Sequence, residues 1–529
     1  MNRIRSFGIL GALCLSGFLL FYNLGHYALW DDEANTALTA KAIIRTGDTS
    51  AKVDDHNFLL YREGAELENL KNRYLPPLPA FLTAASLNIF GLSSEAARLP
   101  FAFIGLLGLS FMFLTAWRLN IPATLLAVII ILLVSNASIF LYFRNCRYYS
   151  PAIISTFIAM IFFIRFSGSK LQLTCLSLAL FCLASSQYLN FVALLVVLAL
   201  DYAVFRQAEL KFSEPKWIIF FAIQIIAILS LASIFNPIGK NVVSFQTNNW
   251  LVEKCQLFWW NIRDLDACQF GSLLILLIGF LFLYSGPYQR LIRRGLLACI
   301  VYIIVITILS PQPVGATHVA DVRYLAPLIP VIVVLESLII CSLFSSNSKM
   351  ALIFAVVLAQ TNLLHLNFIT NQNVNFSFYY FFKELIDPQQ EPYTKTSQWI
   401  NKNIESKESI WVLPDYMTYP LMFHAPKAVY AWQLNPNQRK ESQFSELSPI
   451  HFKSLELPDY IIVFGPMVVP VREMLKEWKK QGANFNQISN LDVFWKDLYR
   501  PELFWRSFSS AKKTDDLTQG VYVFKKQKI

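Results

Sequence analysis

Long apolar runs broken by short polar links fill the first 370 residues of this 529-residue chain. The runs fall at 7–29, 96–117, 121–142, 149–165, 171–187, 189–205, 217–236, 270–286, 295–311, 323–344 and 350–370. Their lengths approach the ~20 residues a helix needs to cross a bilayer, so the pattern predicts about eleven transmembrane helices. No small-residue cleavage site precedes the acids that follow the first run, which is therefore read as an anchor and not a signal peptide.

Two segments depart from this pattern. Residues 30–95 form a long, mostly polar first loop. Within it, Ala34, Ala37, Leu38, Ala40 and Ile44 recur at helical spacing and predict a short helix over Glu33–Thr46. A second, semi-apolar helix is expected at 77–90, opening after Pro76-Pro77; it is short for a span and is placed in the membrane interface. Beyond residue 370 the continuous hydrophobicity ends. Ser409–Leu413, Ala428–Trp432, Tyr460–Gly465 and Gly520–Phe524 read as strands, and Lys395–Ser406 and Val471–Lys480 as helices. The expected organisation is a membrane domain over 1–370 and an α/β domain over 371–529, joined by an aromatic cluster at 378–382 that docks on the membrane.

Composition narrows the class. Charged residues make up only 15% of the chain, against roughly 25% in a soluble domain, so the fold class is a polytopic α-helical membrane protein. The net charge of +10 does not imply nucleic acid, because in the membrane half it sits in short loops where topology and anionic lipid account for it. Eight cysteines show no CxxC pair and no metal-ligand spacing. Cys255 and Cys268 share one predicted outer loop, where they are either paired or free thiols.

Lysine and arginine set the orientation. Arg3, Arg5, Arg118, Arg165, Arg206 and Arg290 belong to the loops richer in positive charge, which are therefore cytoplasmic. The amino terminus is expected inside and the 371–529 domain outside the cytoplasmic membrane. Arg144, Arg147 and Arg323 lie on the opposite side, against the rule, and so become candidates for chemistry.

Leu29-Trp30-Asp31-Asp32-Glu33-Ala34-Asn35 places three acids at the membrane boundary, where charge is costly and usually functional. They would serve as first-turn acids of the helix that follows, or one of them as a general base. Arg144-Asn145-Cys146-Arg147-Tyr148-Tyr149 ends the third span. Its two arginines, three apart, are read as one helical face that clamps a phosphate, or as snorkelling anchors. His318, Asp321, Arg323 and Tyr324 precede the tenth span. Asp54, Asp55 and His56 form an acid–histidine cluster, read as a solvated turn, with a divalent ion as the lesser alternative. No cofactor beyond such an ion is inferred. Glu336 lies within the tenth span and is read as a buried acid.

Trp30-Asp31-Asp32-Glu33-Ala34, Ala40-Lys41-Ala42-Ile43 and Gly47-Asp48 resemble the first outer loop of GT-C glycosyltransferases. So do Asn72-Arg73-Tyr74-Leu75-Pro76-Pro77-Leu78, Gly91-Leu92, Ala97-Arg98-Leu99-Pro100 and, later, Arg323-Tyr324-Leu325-Ala326-Pro327. The pattern is most similar to lipid A aminoarabinose transferases, protein O-mannosyltransferases and lipopolysaccharide-core galacturonosyltransferases. Asp32-Glu33 matches the Asp-Glu pair of those families, which makes Asp32 the expected base and Asp31 the runner-up. Leu75-Pro76 stands where the aminoarabinose transferases carry Glu-Lys, leaving Lys71 or Arg73 as substitutes toward the donor phosphate.

The resemblance implies an inverting transfer from a polyprenyl-phosphate sugar to an envelope acceptor (lipid A, glycan or protein). Arg144, Arg147 with Tyr148, and Arg323 with Tyr324 would bind the donor phosphate. Two other classes compete with this reading. A transporter or flippase for a lipid-linked sugar should carry paired, interrupted spans and ionisable groups at mid-membrane, where Glu336 is nearly alone. A non-catalytic surface scaffold leaves the acids and outward arginines unexplained.

Overall fold

A computed structural model describes residues 2–207, 209–210, 212, 214–236, 249–268, 272–282, 288–310, 322–365, 376–388, 390–491, 493 and 520–527. His318 and Asp321 lie outside the described residues, as do the ends of the eighth and eleventh expected spans.

The apolar runs form helices α1 (Asn2–Phe21), α4 (Ser94–Arg118), α5 (Ala123–Val134), α6 (Ala137–Phe143), α7 (Tyr149–Ile164), α8 (Lys170–Ser186), α9 (Tyr188–Asp201) and α10 (Pro215–Ile234). They continue with α12 (Ser272–Phe282), α13 (Gln289–Leu309), α14 (Ile329–Leu343) and α15 (Ser348–Gln360). Among the described residues, five helices are long and apolar enough to cross a bilayer, and α5 with α6 makes a sixth bent by 60°. The bend falls where the Asn136 side chain turns back to accept from Ile139 N, 3.0 Å away, and caps α6. Other helices are shorter: α7, with 16 residues, is ~24 Å long against a hydrocarbon thickness of ~30 Å.

One expected boundary is corrected. The first span was placed at 7–29, but α1 stops at Phe21 and residues 22–30 form the connection into α2 (Asp31–Thr46). Asn23 adopts φ 50° there, and Arg144 takes the last carbonyls of the helix (below), so α1 ends although Leu24, Ala28 and Leu29 remain apolar. Helix α3 (Leu78–Phe90) follows the Pro-rich segment at the expected place. Between α2 and α3 a two-residue hairpin, β1 (Leu67–Glu68) with β2 (Lys71–Asn72), folds the loop back on itself.

The two cysteines of the expected outer loop lie instead on one helix, α11 (Trp250–Cys268). Thirteen positions along a helix separate them by ~20 Å, so they do not pair; Cys255 is free and exposed.

The carboxyl-terminal region carries a five-stranded sheet of order β4-β3-β5-β7-β6. Its strands are β3 (Ser409–Leu413), β4 (Val429–Tyr430), β5 (Tyr460–Phe464), β6 (Phe485–Leu491) and β7 (Val521–Lys526). β4, β3 and β5 run parallel, while β7 is antiparallel to β5 and β6. β3 and β5 are buried on both faces, which is why they read as unbroken apolar runs. Helix α16 (Ser377–Ile386) precedes the sheet, and α17 (Pro392–Asn403), α18 (Thr418–His424) and α19 (Val468–Lys480) flank it.

One face of the sheet packs Val463 and Trp411 against Val468, Val471 and Leu475 of α19. The other packs Ile410, Val412 and Ile462 in one cluster with Leu421 and Met422 of α18 and with Ala34, Ala37 and Leu38 of α2. A further shared cluster joins Ala51, Leu60 and Leu67 of the first loop to Leu434, Phe444 and Phe452. Asn57 adds polar links, donating to the carbonyls of Pro426 (3.1 Å) and Ala428 (2.9 Å) and accepting from Tyr430 N (3.0 Å). The first loop is thus held by the sheet region on one side and the helices on the other.

Candidate functional site

The three acids at the start of α2 point in different directions, because successive helical residues turn by ~100°. Glu33 points inward and is fully buried. It accepts from Arg98 Nε (2.8 Å), Arg98 Nη2 (2.6 Å) and Cys146 N (2.7 Å). Arg98 in turn donates to the carbonyls of Leu24 (3.1 Å), Tyr27 (2.8 Å) and Ala28 (3.0 Å). This closed network ties α2, α4, the 22–30 connection and the α6–α7 turn together. Glu33 is therefore a structural group: its oxygens are committed and it does not line the cavity described below. Asp31 is also buried and off that cavity, with its charge acting on Tyr61 and Tyr419.

Asp32 alone of the three faces the cavity. Its Oδ2 accepts from Arg323 Nη1 at 2.5 Å, and its Oδ1 lies 3.4 Å from Arg147 Nη2. Arg147 also donates to Thr36 Oγ1 (3.2 Å), one turn along α2. Each guanidinium lies over the ring of the tyrosine that follows it, Tyr148 at 5.8 Å and Tyr324 at 5.7 Å. The two rings are stacked, with centroids 6.3 Å apart. Burial works against the Arg147 charge, yet neighbouring Asp32 holds its pKa above the ordinary value. Burial raises Tyr148 well above the phenol range, so it stays a neutral hydroxyl.

The cavity encloses about 220 Å³. One wall is the polar face of α2, where Asp32, Asn35, Thr36 and Thr39 follow each other. A second is the Arg147–Tyr148 turn with Arg323 and Tyr324. Leu75, Pro76, Pro77 and Ala80 give an apolar third wall, and the one-residue break between α8 and α9, Ser186-Gln187-Tyr188, closes another side.

The remaining side of the cavity comes from a stretch the sequence reading did not single out. Tyr61, Arg62 and Glu66 of the first loop line the same space. Burial raises the Glu66 carboxyl, opposed by the charges of Arg62 and Arg147. In sequence these residues sit in a polar stretch that reads as solvated loop. The only local signal is a tyrosine and an arginine ahead of a glycine, Tyr61-Arg62-Glu63-Gly64.

Several expected phosphate ligands lie elsewhere. Arg144 was paired with Arg147 on one helical face, but α6 ends at Phe143 and the two stand on a non-helical turn. Arg144 Nη1 donates to the carbonyls of Leu19, Leu20 and Tyr22, each at 2.9 Å, and Nη2 to that of Asn23 at 3.1 Å. It caps the carboxyl end of α1. Lys71 and Arg73 both bind Asp48, Arg73 through two 2.8 Å bonds and Lys71 at 2.8 Å. The Arg73 bonds hold Asp48 well below the usual carboxylate range. Neither cation lines the cavity.

The Asp54-Asp55-His56 cluster is a turn. Asp54 accepts from His56 N (3.0 Å) and Asn57 N (2.8 Å) and pairs with Lys41, while Asp55 pairs with Arg45. Among the described residues no three potential metal ligands come together. Glu336 is fully buried within α14.

No family model matches this sequence, and no curated protein matches it. Solved structures do match. ArnT from Cupriavidus metallidurans, in the apo state, superposes with a TM-score of 0.54 at 12% identity, over 98% of this chain and 97% of that one. The same protein bound to undecaprenyl phosphate gives a TM-score of 0.53 over the same shares. The chain has the ArnT fold.

Both share helices over most of the chain, and here a sheet follows at the carboxyl end. The match takes in the first loop, the apolar helices and the sheet alike, because it covers nearly the whole of both chains. At 12% identity ArnT describes how this chain is folded.

Proposed function

We propose that this chain is an inverting glycosyltransferase. It moves a sugar from a polyprenyl-phosphate donor, undecaprenyl-linked in a bacterium, to an acceptor in the cell envelope: lipid A, a glycan or a protein. One observation carries the reading. Asp32 stands against both Arg147 and Arg323 on the wall of a partly open cavity, where three distant parts of the chain meet. One carboxylate and two guanidinium groups leave a single positive charge, which a sugar phosphodiester with one negative charge balances.

The chemistry follows from that arrangement. The donor phosphate draws the two arginines away from Asp32. The released carboxylate accepts the acceptor's proton as its oxygen or nitrogen bonds to the anomeric carbon. The bond from that carbon to the phosphate oxygen breaks with its electrons, and polyprenyl phosphate leaves, its charge met by Arg147 and Arg323. Attack from the face opposite the phosphate inverts the configuration. The reaction takes place on the outer face of the cytoplasmic membrane, with the amino terminus inside and the sheet region outside, where it orients the acceptor. The shared fold with ArnT, solved with undecaprenyl phosphate, supports a lipid-linked donor.

The test uses purified protein in lipid nanodiscs, a panel of undecaprenyl-phosphate sugars and an envelope fraction, with products read by mass spectrometry. Asp32→Asn should lower transfer by about 10²–10⁴-fold while undecaprenyl phosphate still binds. Transfer at the normal rate by Asp32→Asn refutes the base. Movement of lipid-linked sugar across the bilayer without transfer, by the unaltered protein, would make it a transporter instead.

A further inference from the structure

The cavity divides by charge. Asp32, Arg147 and Arg323 occupy one side and carry the positive excess assigned above to the donor phosphate. Arg62 and Glu66 line the same cavity from the first loop. Arg62 supplies donors and Glu66 a carboxyl acceptor, a complement that fits neighbouring hydroxyl groups. Asn35, Thr36, Thr39, Thr49 and Asn72 line the same cavity and are uncharged donors and acceptors of the kind that match hydroxyl groups.

One feature points to a ligand at this second side. Glu66 Oε2 is sealed from solvent and has no hydrogen-bond partner within the protein. Buried carboxylate oxygens in native proteins are normally satisfied, and one left open on a cavity wall calls for a donor from an occupant. The turn that carries Glu66 is held firmly in place. Arg62 (φ 49°, ψ 47°) and Glu63 (φ 57°, ψ 34°) are consecutive non-glycine residues in the left-handed region, a conformation that persists only where the surroundings impose it.

The sheet region supplies that constraint. Gln438 Nε2 donates to the Glu63 carbonyl at 2.7 Å, Lys453 Nζ donates to Glu63 Oε1 at 2.9 Å, and Asn435 donates to Glu63 Oε2. The Phe444 ring lies so close over Gly64 that a Cβ there would come within 2.6 Å of it. Glu63 and Gly64 are gripped by the sheet region, while Arg62, which is exposed, and Glu66 line the cavity.

We propose that the Tyr61–Glu66 turn is the acceptor subsite and that it selects a sugar bearing vicinal hydroxyl groups. Glu66 accepts from one hydroxyl and Arg62 donates to its neighbour. This rests on the transferase reading and narrows its acceptor to a glycan. A phosphate group offers no donor to Glu66, and a serine or threonine side chain offers one hydroxyl where Arg62 and Glu66 together take two. Glu66 is a positioning residue here, while the acceptor proton goes to Asp32.

The experiment uses full-length protein in nanodiscs, the undecaprenyl-phosphate sugar panel and the envelope fraction in two forms, untreated and after mild periodate. Periodate cleaves vicinal diols and leaves phosphate groups and protein side-chain hydroxyls in place. Periodate treatment should abolish acceptor capacity. Glu66→Ala should raise the acceptor KM about ten- to hundredfold, as expected for a lost hydrogen bond to a charged group, with undecaprenyl phosphate affinity unchanged and partial recovery in Glu66→Gln. A treated fraction that accepts sugar as well as the untreated one overturns the glycan assignment, as does an unchanged acceptor KM in Glu66→Ala. A Glu66→Ala protein that no longer binds undecaprenyl phosphate overturns the separate acceptor subsite. Failure of the unaltered protein to transfer any sugar to either fraction sinks the underlying transferase reading instead.

Discussion

Asp32 and Arg323 are 291 residues apart in the chain, yet Arg323 Nη1 lies 2.5 Å from Asp32 Oδ2. The contact joins the first turn of α2 to the 3-10 turn Val322–Leu328 that leads into α14. Arg147 enters the same carboxylate from the α6–α7 turn. An acid of this kind holds two cations in register before any phosphate arrives, so ligand binding does not have to order them.

The first prediction follows from that register. Arg323→Lys keeps the charge but loses the planar fork that spans a carboxylate or phosphate. Affinity for undecaprenyl phosphate should fall about ten- to hundredfold, the weight of a charge-assisted hydrogen bond. Arg147→Lys should behave alike. The two effects should be non-additive when either is combined with Asp32→Asn, because all three groups share one network. Titration of nanodisc-embedded variants with undecaprenyl phosphate measures this, and additive free energies would show that the groups act independently.

The neighbouring acid should behave in the opposite way. Glu33 and Arg98 form a buried, fully hydrogen-bonded pair that ties four segments together. Removing one partner leaves the other charge buried alone, at a cost of about 3–5 kcal/mol. Glu33→Gln and Arg98→Leu should therefore lower the unfolding temperature strongly, whereas Asp32→Asn on the cavity wall should not. Thermal unfolding of the detergent-solubilised variants separates the two acids. Equal melting temperatures would mean that the Glu33 network does not hold the fold.

The contrast between Asp32 and Glu33 shows what the sequence can and cannot tell. Charges at the edges of apolar runs stand out, so Asp32, Arg147 and Arg323 were visible before any coordinates. Which of three consecutive acids faces the cavity depends on helix phase, and that is set by packing far away in the chain. Arg144 and Arg147 looked equivalent because a turn and a helix at 144–148 cannot be told apart from five residues. Arg62 and Glu66 were invisible for a different reason. A polar loop carries no periodicity, and its burial comes only from the sheet region folding over it. β6 was missed likewise: Phe485–Leu491 is polar because it is an edge strand with most of its side chains outward.

Arg144 gives a third prediction. It donates to four carbonyls at the end of α1 and does not line the cavity. Arg144→Ala should destabilise the protein by roughly 1–3 kcal/mol through the orphaned carbonyls and leave affinity for undecaprenyl phosphate unchanged in the folded fraction. Binding measured alongside unfolding checks both halves. A selective loss of phosphate affinity would return Arg144 to the donor site.

The last prediction concerns pH and a latch outside the spans. Helix α16 packs on the connection between α1 and α2, where Tyr27 Oη donates to Glu384 at 2.9 Å and Asn23 Nδ2 donates to the Leu385 carbonyl at 2.9 Å. Burial pushes Glu384 up to about 7 from an ordinary value of 4.5, although the Tyr27 bond works the other way. The folded protein therefore keeps this proton when the unfolded chain has lost it. The resulting stability is complete below the unfolded value, declines as pH rises from 4.5, and is gone above about 7. Each pH step across the window removes roughly 1.4 kcal/mol at most. Glu384→Gln retains an acceptor for Tyr27 but has no proton to lose. Its unfolding temperature should match that of the unaltered protein near pH 4.5 and exceed it at pH 8. Parallel pH profiles for the two proteins would mean that Glu384 does not control the latch, and that α16 is held by its ring contacts, such as Phe381 against Phe140 at 6.3 Å.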